Sequence, residues 1–98
     1  MSNTKPAEYR IFKFLLKVTD VQEIPLNPGD RILTAQMQGS NGLCLWALVD
    51  LNVPAASKRT IHIFGTGNPL PDMSKMTYIS SAQELGGKLV WHIFEEVK

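Results

Sequence analysis

Two stretches of this 98-residue chain, LCLWALV at 43–49 and LVWHIF at 89–94, are apolar at almost every position. No window of ten or more residues repeats apolar side chains at i, i+3, i+4 and i+7, so neither is predicted to be helical. Both are predicted to be strands with two apolar faces, and such strands need cover on both sides. Either the sheet folds over itself or a second copy covers it. Because a chain this short often completes its core by oligomerisation, we expect a homo-oligomer.

The remaining pattern predicts an all-β protein. Period-2 alternation or short apolar runs separated by glycine and proline turns predict strands at 9–18, 21–26, 31–38, 43–50, 59–65, 76–83 and 88–96. About seven mostly antiparallel strands with little or no helix are typical of a sandwich or a partly closed barrel. Residues 1–8 are polar and are predicted to be a flexible segment before a single domain at 9–98.

Charge and cysteine content argue against several classes of function. The formal net charge is +1, and the lysines and arginines are scattered, whereas nucleic-acid-binding surfaces usually show a basic patch. Cys44 is the only cysteine, and no metal-site spacing joins it to His62 or His92, so neither a metal nor another cofactor is predicted. The chain shows no signal peptide and no apolar run long enough to span a membrane, so the cytoplasm is the expected location.

A glycine-rich loop is the strongest candidate for a binding site. The loop Gly65-Thr66-Gly67-Asn68 follows a predicted strand, as phosphate-binding loops do, but Pro69 and Pro71 prevent a long helix from following it. Successive backbone N–H groups at such a turn can still bind an anion. The simpler interpretation is a strand that ends in glycine. If the protein binds a ligand, we expect the loop from Gly65 to Pro71 to form one wall of the site.

Both histidines occur in the same tripeptide, His62-Ile63-Phe64 and His92-Ile93-Phe94. Alternation places each histidine on the same face of its strand as its phenylalanine. If the last three strands form a meander, the histidines lie on strands that are one apart, about 10 Å from each other. That separation is too large for a shared metal and suits contacts to a ligand, although a histidine in an apolar strand is more often a hydrogen-bonded core residue.

Two further residues complete the set of binding candidates. Arg59 begins the strand that leads into the glycine loop, and it would meet an anion bound there only across a subunit contact. Trp91 is expected either in the core or as an anchor at an interface, because tryptophan is enriched at interface hot spots. No nucleophile and base can be paired from the spacing, so no catalytic residue is predicted.

Several phrases together carry a resemblance: YRIFKFLLKVTD, EIPLNPGDRILTAQMQ, GLCLWALVD, RTIHIFGTGNPL and ISSAQELGGKLVWHIFEE. In that order they resemble a family of short proteins of tailed phages and prophages to which no activity is assigned. The resemblance covers roughly residues 9–96. It implies a phage-encoded protein and supplies no mechanism.

The phage setting implies a function by class. Small phage proteins without catalytic residues are often inhibitors or sequestering proteins directed at host machinery or host defence signals. We therefore expect a counter-defence or host-modulating binding protein in the host cytoplasm. Its partner would be a host protein or, slightly less favoured, a nucleotide-like small molecule. The alternative is a minor virion or assembly component.

Overall fold

A computed structural model describes residues 6–97 of the chain, which form seven strands and no α-helix. The strands are β1 (Tyr9–Leu15), β2 (Val21–Ile24), β3 (Arg31–Met37), β4 (Leu43–Asp50), β5 (Arg59–Gly65), β6 (Met76–Glu84) and β7 (Leu89–Glu96). Two single 3₁₀ turns, Gly39–Asn41 and Leu85–Gly87, connect β3 to β4 and β6 to β7. The prediction of an all-β domain with seven strands is confirmed.

The strands form two antiparallel sheets, which we call sheet 1 and sheet 2. Sheet 1 has the order β1-β4-β3, and sheet 2 has the order β2-β5-β7-β6. The sheets do not close into a barrel, so of the two predicted architectures the two-sheet form is the one found. Alternate residues of the central strands meet in a shared core. These buried residues are Leu43, Leu45 and Ala47 of β4, Ile61 and Ile63 of β5, and Ile93 of β7.

The last three strands do not form a meander. The strand β7 lies between β5 and β6 and pairs with both of them. The β6–β7 hairpin is local and follows from its Gly86-Gly87 turn, where both glycines have positive φ. The β5–β7 pairing is long-range, and turn chemistry in the sequence does not report it. The two histidines consequently lie on neighbouring strands.

One serine joins the two sheets where β3 packs against β6. The backbone N–H of Ala35 donates to Ser80 Oγ at 2.9 Å, and Ser80 Oγ–H donates back to the carbonyl oxygen of Ala35 at 2.6 Å. Both residues are buried. The register of β3 shifts near Leu33 and that of β6 shifts near Ile79, so each strand carries a bulge close to this contact. The side chain of Ser80 in sheet 2 thereby provides hydrogen-bond partners for main-chain groups of β3, an edge strand of sheet 1.

The turn at Asn27-Pro28-Gly29-Asp30 is a junction whose two end residues, Asn27 and Asp30, are buried. Its backbone closes with a bond from Asp30 N–H to the carbonyl of Asn27 at 3.0 Å. The Asp30 carboxylate accepts from the N–H groups of Asn27 and of Asp50 in β4. Arg59 of β5 donates to the carbonyls of Asn27 and Asp30. The 27–30 turn therefore connects strands of both sheets.

The two sheets cover each other on one face only. The outer face of sheet 1 carries Trp46 and Leu48, which are half-buried, and Ile11 and Leu15, which are exposed. The packing of the two sheets against each other thus covers only part of the apolar surface of the strands. The homo-oligomer stays a prediction. Among residues 6–97, no helix is long and apolar enough to cross a membrane.

Candidate functional site

The glycine loop turns tightly after β5. Asn68 N–H donates to the carbonyl of Gly65 at 3.2 Å, which closes a four-residue turn, and Gly67 occupies its third position with φ +86°. Gly65 is required for a different reason. A Cβ placed there would lie 2.9 Å from the side-chain nitrogen of Asn68 and 3.4 Å from the ring of Trp91, which crosses over it.

The backbone of this loop is poorly suited to bind a phosphate. Asn68 N–H is committed to Gly65, and Thr66 N–H points to the carbonyl of Val90 at 3.4 Å. An anion-binding nest needs successive N–H groups that converge on the ligand. Two of the three candidate N–H groups instead close the turn or continue the β5–β7 ladder. The loop can therefore contribute mainly its side chains and its shape.

The loop forms one wall of an open groove of about 560 Å³. The groove lies beyond the first residue of β2, since the β2–β5 pairing starts at the Val21–His62 pair and leaves the edge of β5 uncovered by β2 from Ile63 onward. The turn at residues 18–21 forms the opposite wall. Apolar side chains dominate the lining, with a few polar groups among them: Val18, Thr19, Asp20, Val21, His62, Ile63, Phe64, Gly65, Asn68, Pro69, Pro71 and Trp91.

The two His-Ile-Phe tripeptides pair with each other. Ile63 lies opposite Ile93, and each histidine lies opposite the phenylalanine of the other tripeptide, as His62–Phe94 and Phe64–His92. The segment therefore has local two-fold symmetry around the central isoleucine pair. The histidines are diagonal neighbours, a relation that separates Cα atoms by about 7–8 Å. As predicted, each histidine shares a face with its own phenylalanine.

Aromatic rings cover the outer face of sheet 2 around this pair. The ring centroids of His62 and Phe64 are 6.0 Å apart with nearly parallel planes, and Phe64 meets Phe94 edge-on at 5.7 Å. Tyr78 extends the row by an edge contact to Phe94 at 5.4 Å. His62 Nε2 lies 2.8 Å from the Glu96 carboxylate. His62 thus has both a stacking partner and a polar partner within its own sheet.

His92 is held between two hydroxyl groups. Its Nε2 lies 2.7 Å from Thr66 Oγ1, and its Nδ1 lies 2.8 Å from Ser81 Oγ. The Ser81 hydroxyl also contacts the Tyr78 hydroxyl at 2.8 Å. Spacing in the sequence did not pair His92 with a hydroxyl residue, because that required the β5–β7 and β6–β7 registers. His92 borders a second, smaller cavity of about 210 Å³ on the other side of the glycine loop.

Arg59 and Trp91 have partners inside the protein. Two nitrogens of Arg59 contact the Glu95 carboxylate, and its Nη1 contacts the carbonyls of Asn27 and Asp30. The hydrogen bond to Glu95 raises the pKa of Arg59 above its ordinary value, against the opposing effect of burial. Trp91 packs against the core and donates its indole N–H to Glu84 at 2.8 Å.

The structure brings most of the predicted binding residues to one end of sheet 2. Gly65, Asn68, His62 and Trp91 line the larger groove. Thr66, Gly67 and His92 border the smaller cavity. Arg59 lies at the opposite end of β5, where its donors serve the 27–30 turn and β7. Among residues 6–97, no three histidine, cysteine or acidic side chains form a group suited to a metal.

Comparison with known proteins identifies the domain and leaves its activity open. No curated protein and no solved structure matches the chain. A family described as a domain of unknown function, DUF7352, matches residues 7–98. This range contains all seven strands, the glycine loop and both histidines. The chain therefore belongs to the DUF7352 family.

Proposed function

We propose that the protein is a non-enzymatic binding protein whose site is the groove between the 18–21 turn and the glycine loop. The groove's volume of about 560 Å³ carries the proposal, because small-molecule sites typically occupy about 300–1,000 Å³. A mostly apolar lining with a few polar groups is also typical of such sites. This size favours a small ligand over a protein partner.

The lining favours a planar, nucleotide-like ligand held through its ring. Phe64, Trp91 and the two loop prolines offer apolar contacts, while Asn68 and Asp20 offer an amide and a carboxylate. An amide donates and accepts, and a carboxylate accepts, so together they can pair with the edge of a nucleobase. Within residues 6–97 no lysine or arginine lines the groove, so a phosphate on this ligand would point toward solvent.

The proposed role follows from the resemblance to phage proteins. A phage-encoded protein that binds a nucleotide-like signal would lower its free concentration in the host cytoplasm and so weaken a defence response. This role needs tight binding and no chemical step. His92 does not line the groove, so it has no contact with a ligand bound there.

The two tryptophans allow a direct test by NMR. Trp91 lines the groove and Trp46 lies in β4 of sheet 1, so their two indole N–H signals report on different places. We expect titration with nucleosides and their 5′-monophosphates to shift the Trp91 signal saturably for at least one base and to leave the Trp46 signal in place. If no nucleoside or nucleotide shifts the Trp91 signal, the proposed ligand class is wrong.

Two variants of the same loop separate the groove from the smaller cavity. Asn68→Ala removes a polar group of the groove, and we expect affinity for the responding probe to fall about fivefold to tenfold, since one hydrogen bond contributes about 1 kcal/mol. Thr66→Ala is the matched control, because Thr66 contacts His92 and borders the smaller cavity. Asn68 borders the smaller cavity as well, so a loss of affinity in Thr66→Ala, with or without a loss in Asn68→Ala, would move the site to the His92 side.

A further inference from the structure

The strand β1 has an unpaired edge. It pairs with β4 and with no other strand of the described chain. Leu16 N–H donates to Leu43, and the carbonyl of Glu8 accepts from Leu51, so even-numbered residues direct their main-chain groups toward β4. Main-chain groups alternate in direction along a strand. Those of Ile11, Lys13 and Leu15 therefore point toward the open edge.

Both ends of this edge are capped by the protein itself. Arg10 donates from its guanidinium to the carbonyl of Tyr9 at 3.0 Å. The side chain of Gln22 accepts from Lys17 N–H and donates to the Lys17 carbonyl. Between these caps, no hydrogen bond within residues 6–97 reaches the outward main-chain groups of Ile11, Lys13 or Leu15. The unpaired part of the edge thus runs from Ile11 to Leu15, the last residue of β1.

The other sheet edges are short or already covered. Ser80 joins the edge of β3 to β6, which accounts for one edge of each sheet. The remaining edge of sheet 2 is β2, which has four residues, carries Glu23 and is followed by Pro25. Short length, charge and proline are the usual protection of an edge. β1 has seven residues and lacks these features apart from two basic side chains.

Four large apolar side chains of β1 are exposed. The exposed fractions are 60% for Ile11, 65% for Leu15, 41% for Phe12 and 48% for Tyr9. The protein has an accessible surface of 6596 Å², whereas a compact monomer of 10.9 kDa would have about 5600 Å². The whole protein therefore exposes about 1000 Å² more than a compact monomer of its mass, and a stable interface needs roughly 800 Å² from each partner.

We propose that a second copy of this chain covers the edge, with the two β1 strands paired antiparallel across a two-fold axis at Phe12. The paired strands would join both copies of sheet 1 into one six-stranded sheet. The register follows from the strand itself. Phe12 is the midpoint of β1, so this register places all seven residues opposite the partner strand. Ile11 pairs with the partner's Lys13, and Tyr9 lies opposite the partner's Leu15, whose N–H would replace the exposed Arg10 guanidinium at the Tyr9 carbonyl.

Charge supports this register over its neighbours. A shift of two residues in one direction would place Lys13 directly opposite its own copy, and like charges directly opposite are destabilising. A shift in the other direction would shorten the ladder to residues 9–13. In the proposed register Arg10 lies opposite the partner's Phe14, a pair that is compatible with a cation–π contact. The interface is isologous, as two-fold symmetry requires.

Removal of one N–H group tests the assembly. The wild-type protein should have a mass of twice 10.9 kDa by light scattering at micromolar concentrations. Lys13→Pro removes an outward N–H and leaves the β4 ladder intact, so it should yield a monomer with unchanged circular dichroism. Lys13→Ala loses the same side-chain bond to Gln38 but keeps the N–H, so it should stay dimeric. A monomeric wild type, or a Lys13→Pro dimer, would overturn the proposal.

Cysteine cross-linking tests the register and does not depend on how Lys13→Pro folds. Phe12 lies on the proposed axis in a non-hydrogen-bonded pair, where Cα atoms are about 4.5 Å apart, within disulfide range. Phe12→Cys should therefore form a covalent dimer under mild oxidation. Leu15→Cys is the control, because it is more exposed but lies far from its own copy. Equal or faster cross-linking of Leu15→Cys would overturn the register. Cys44 is buried and should not interfere.

Discussion

At the scale of single residues, the two glycines of the loop serve different purposes. Gly67 has φ +86°, which side chains with a Cβ rarely adopt, and a Cβ there would meet no other atom within 4 Å. Gly65 has ordinary strand geometry, but Trp91 and Asn68 occupy the space beside it. The sequence predicted a turn from both glycines. It did not show that Gly67 is required by the backbone and Gly65 by packing. The packing requirement becomes visible only when the pairing of Gly65 with Trp91 is known.

Substitution at Gly67 tests the backbone requirement. We expect Gly67→Ala to lower the free energy of unfolding by about 1 kcal/mol, because the left-handed region costs a residue with a Cβ about that much. Gly67→Asn should lose less, since asparagine tolerates positive φ. Urea denaturation of the two variants gives the comparison. Equal stability of Gly67→Ala and wild type would contradict the strain argument.

At the scale of elements, local pattern predicted the strands and missed how they pair. The bounds of β4 and β5 agree with the predicted 43–50 and 59–65, because alternation and turn residues are local signals. β1 ends at Leu15 rather than at 18, where the chain leaves β4 for the turn at 18–21. The β5–β7 pairing and the two bulges depend on contacts distant in sequence. They determine which residues meet His92, so that part of the candidate site was not predictable.

Adjacent serines of β6 offer a matched test of how the sheets are joined. Ser80→Ala would leave the buried N–H and carbonyl of Ala35 without partners, and we expect a loss of about 2–4 kcal/mol in the free energy of unfolding. Ser81→Ala removes contacts to His92 and Tyr78 on the outer face and should cost under about 1 kcal/mol. Chemical denaturation of both variants measures the difference. A similar loss in both would mean that Ser80 has no special role in joining the sheets.

At the scale of the whole molecule, the protein is flat and elongated, with extents of 56 × 32 × 15 Å. Its radius of gyration of 15.0 Å exceeds the roughly 13 Å of a compact domain of about 100 residues. Such a shape has little interior, so polar junctions must help to hold the sheets in place. The 27–30 turn is one of these, because Asp30 contacts β4 and Arg59 connects the turn to β5 and β7.

Two aspartates whose carboxylates accept hydrogen bonds from backbone N–H groups differ in burial. Comparing substitutions at the two positions tests the 27–30 junction. Asp30 is buried and accepts from the backbone N–H groups of Asn27 and Asp50. Asp72 is exposed and accepts from Ser74 N–H at 2.9 Å, which lowers the pKa of Asp72. A lowered pKa means that this bond stabilises the fold above the ordinary aspartate pKa and is lost as pH falls through the lowered value. Near neutral pH, the Asp72 bond is therefore intact.

We expect Asp30→Ala to lower the free energy of unfolding by about 2–3 kcal/mol, because the buried N–H of Asn27 and the part-buried N–H of Asp50 lose their acceptor. For a domain of this size, that loss corresponds to a fall in Tm of roughly 10–20 °C. Asp30→Asn should recover part of it, since the amide oxygen can still accept from one of the two groups. Asp72→Ala should leave Tm almost unchanged, because water can replace the carboxylate at Ser74. Thermal melts of the three variants near neutral pH decide the matter. If Asp30→Ala and Asp72→Ala have the same Tm, the 27–30 turn does not hold the two sheets together.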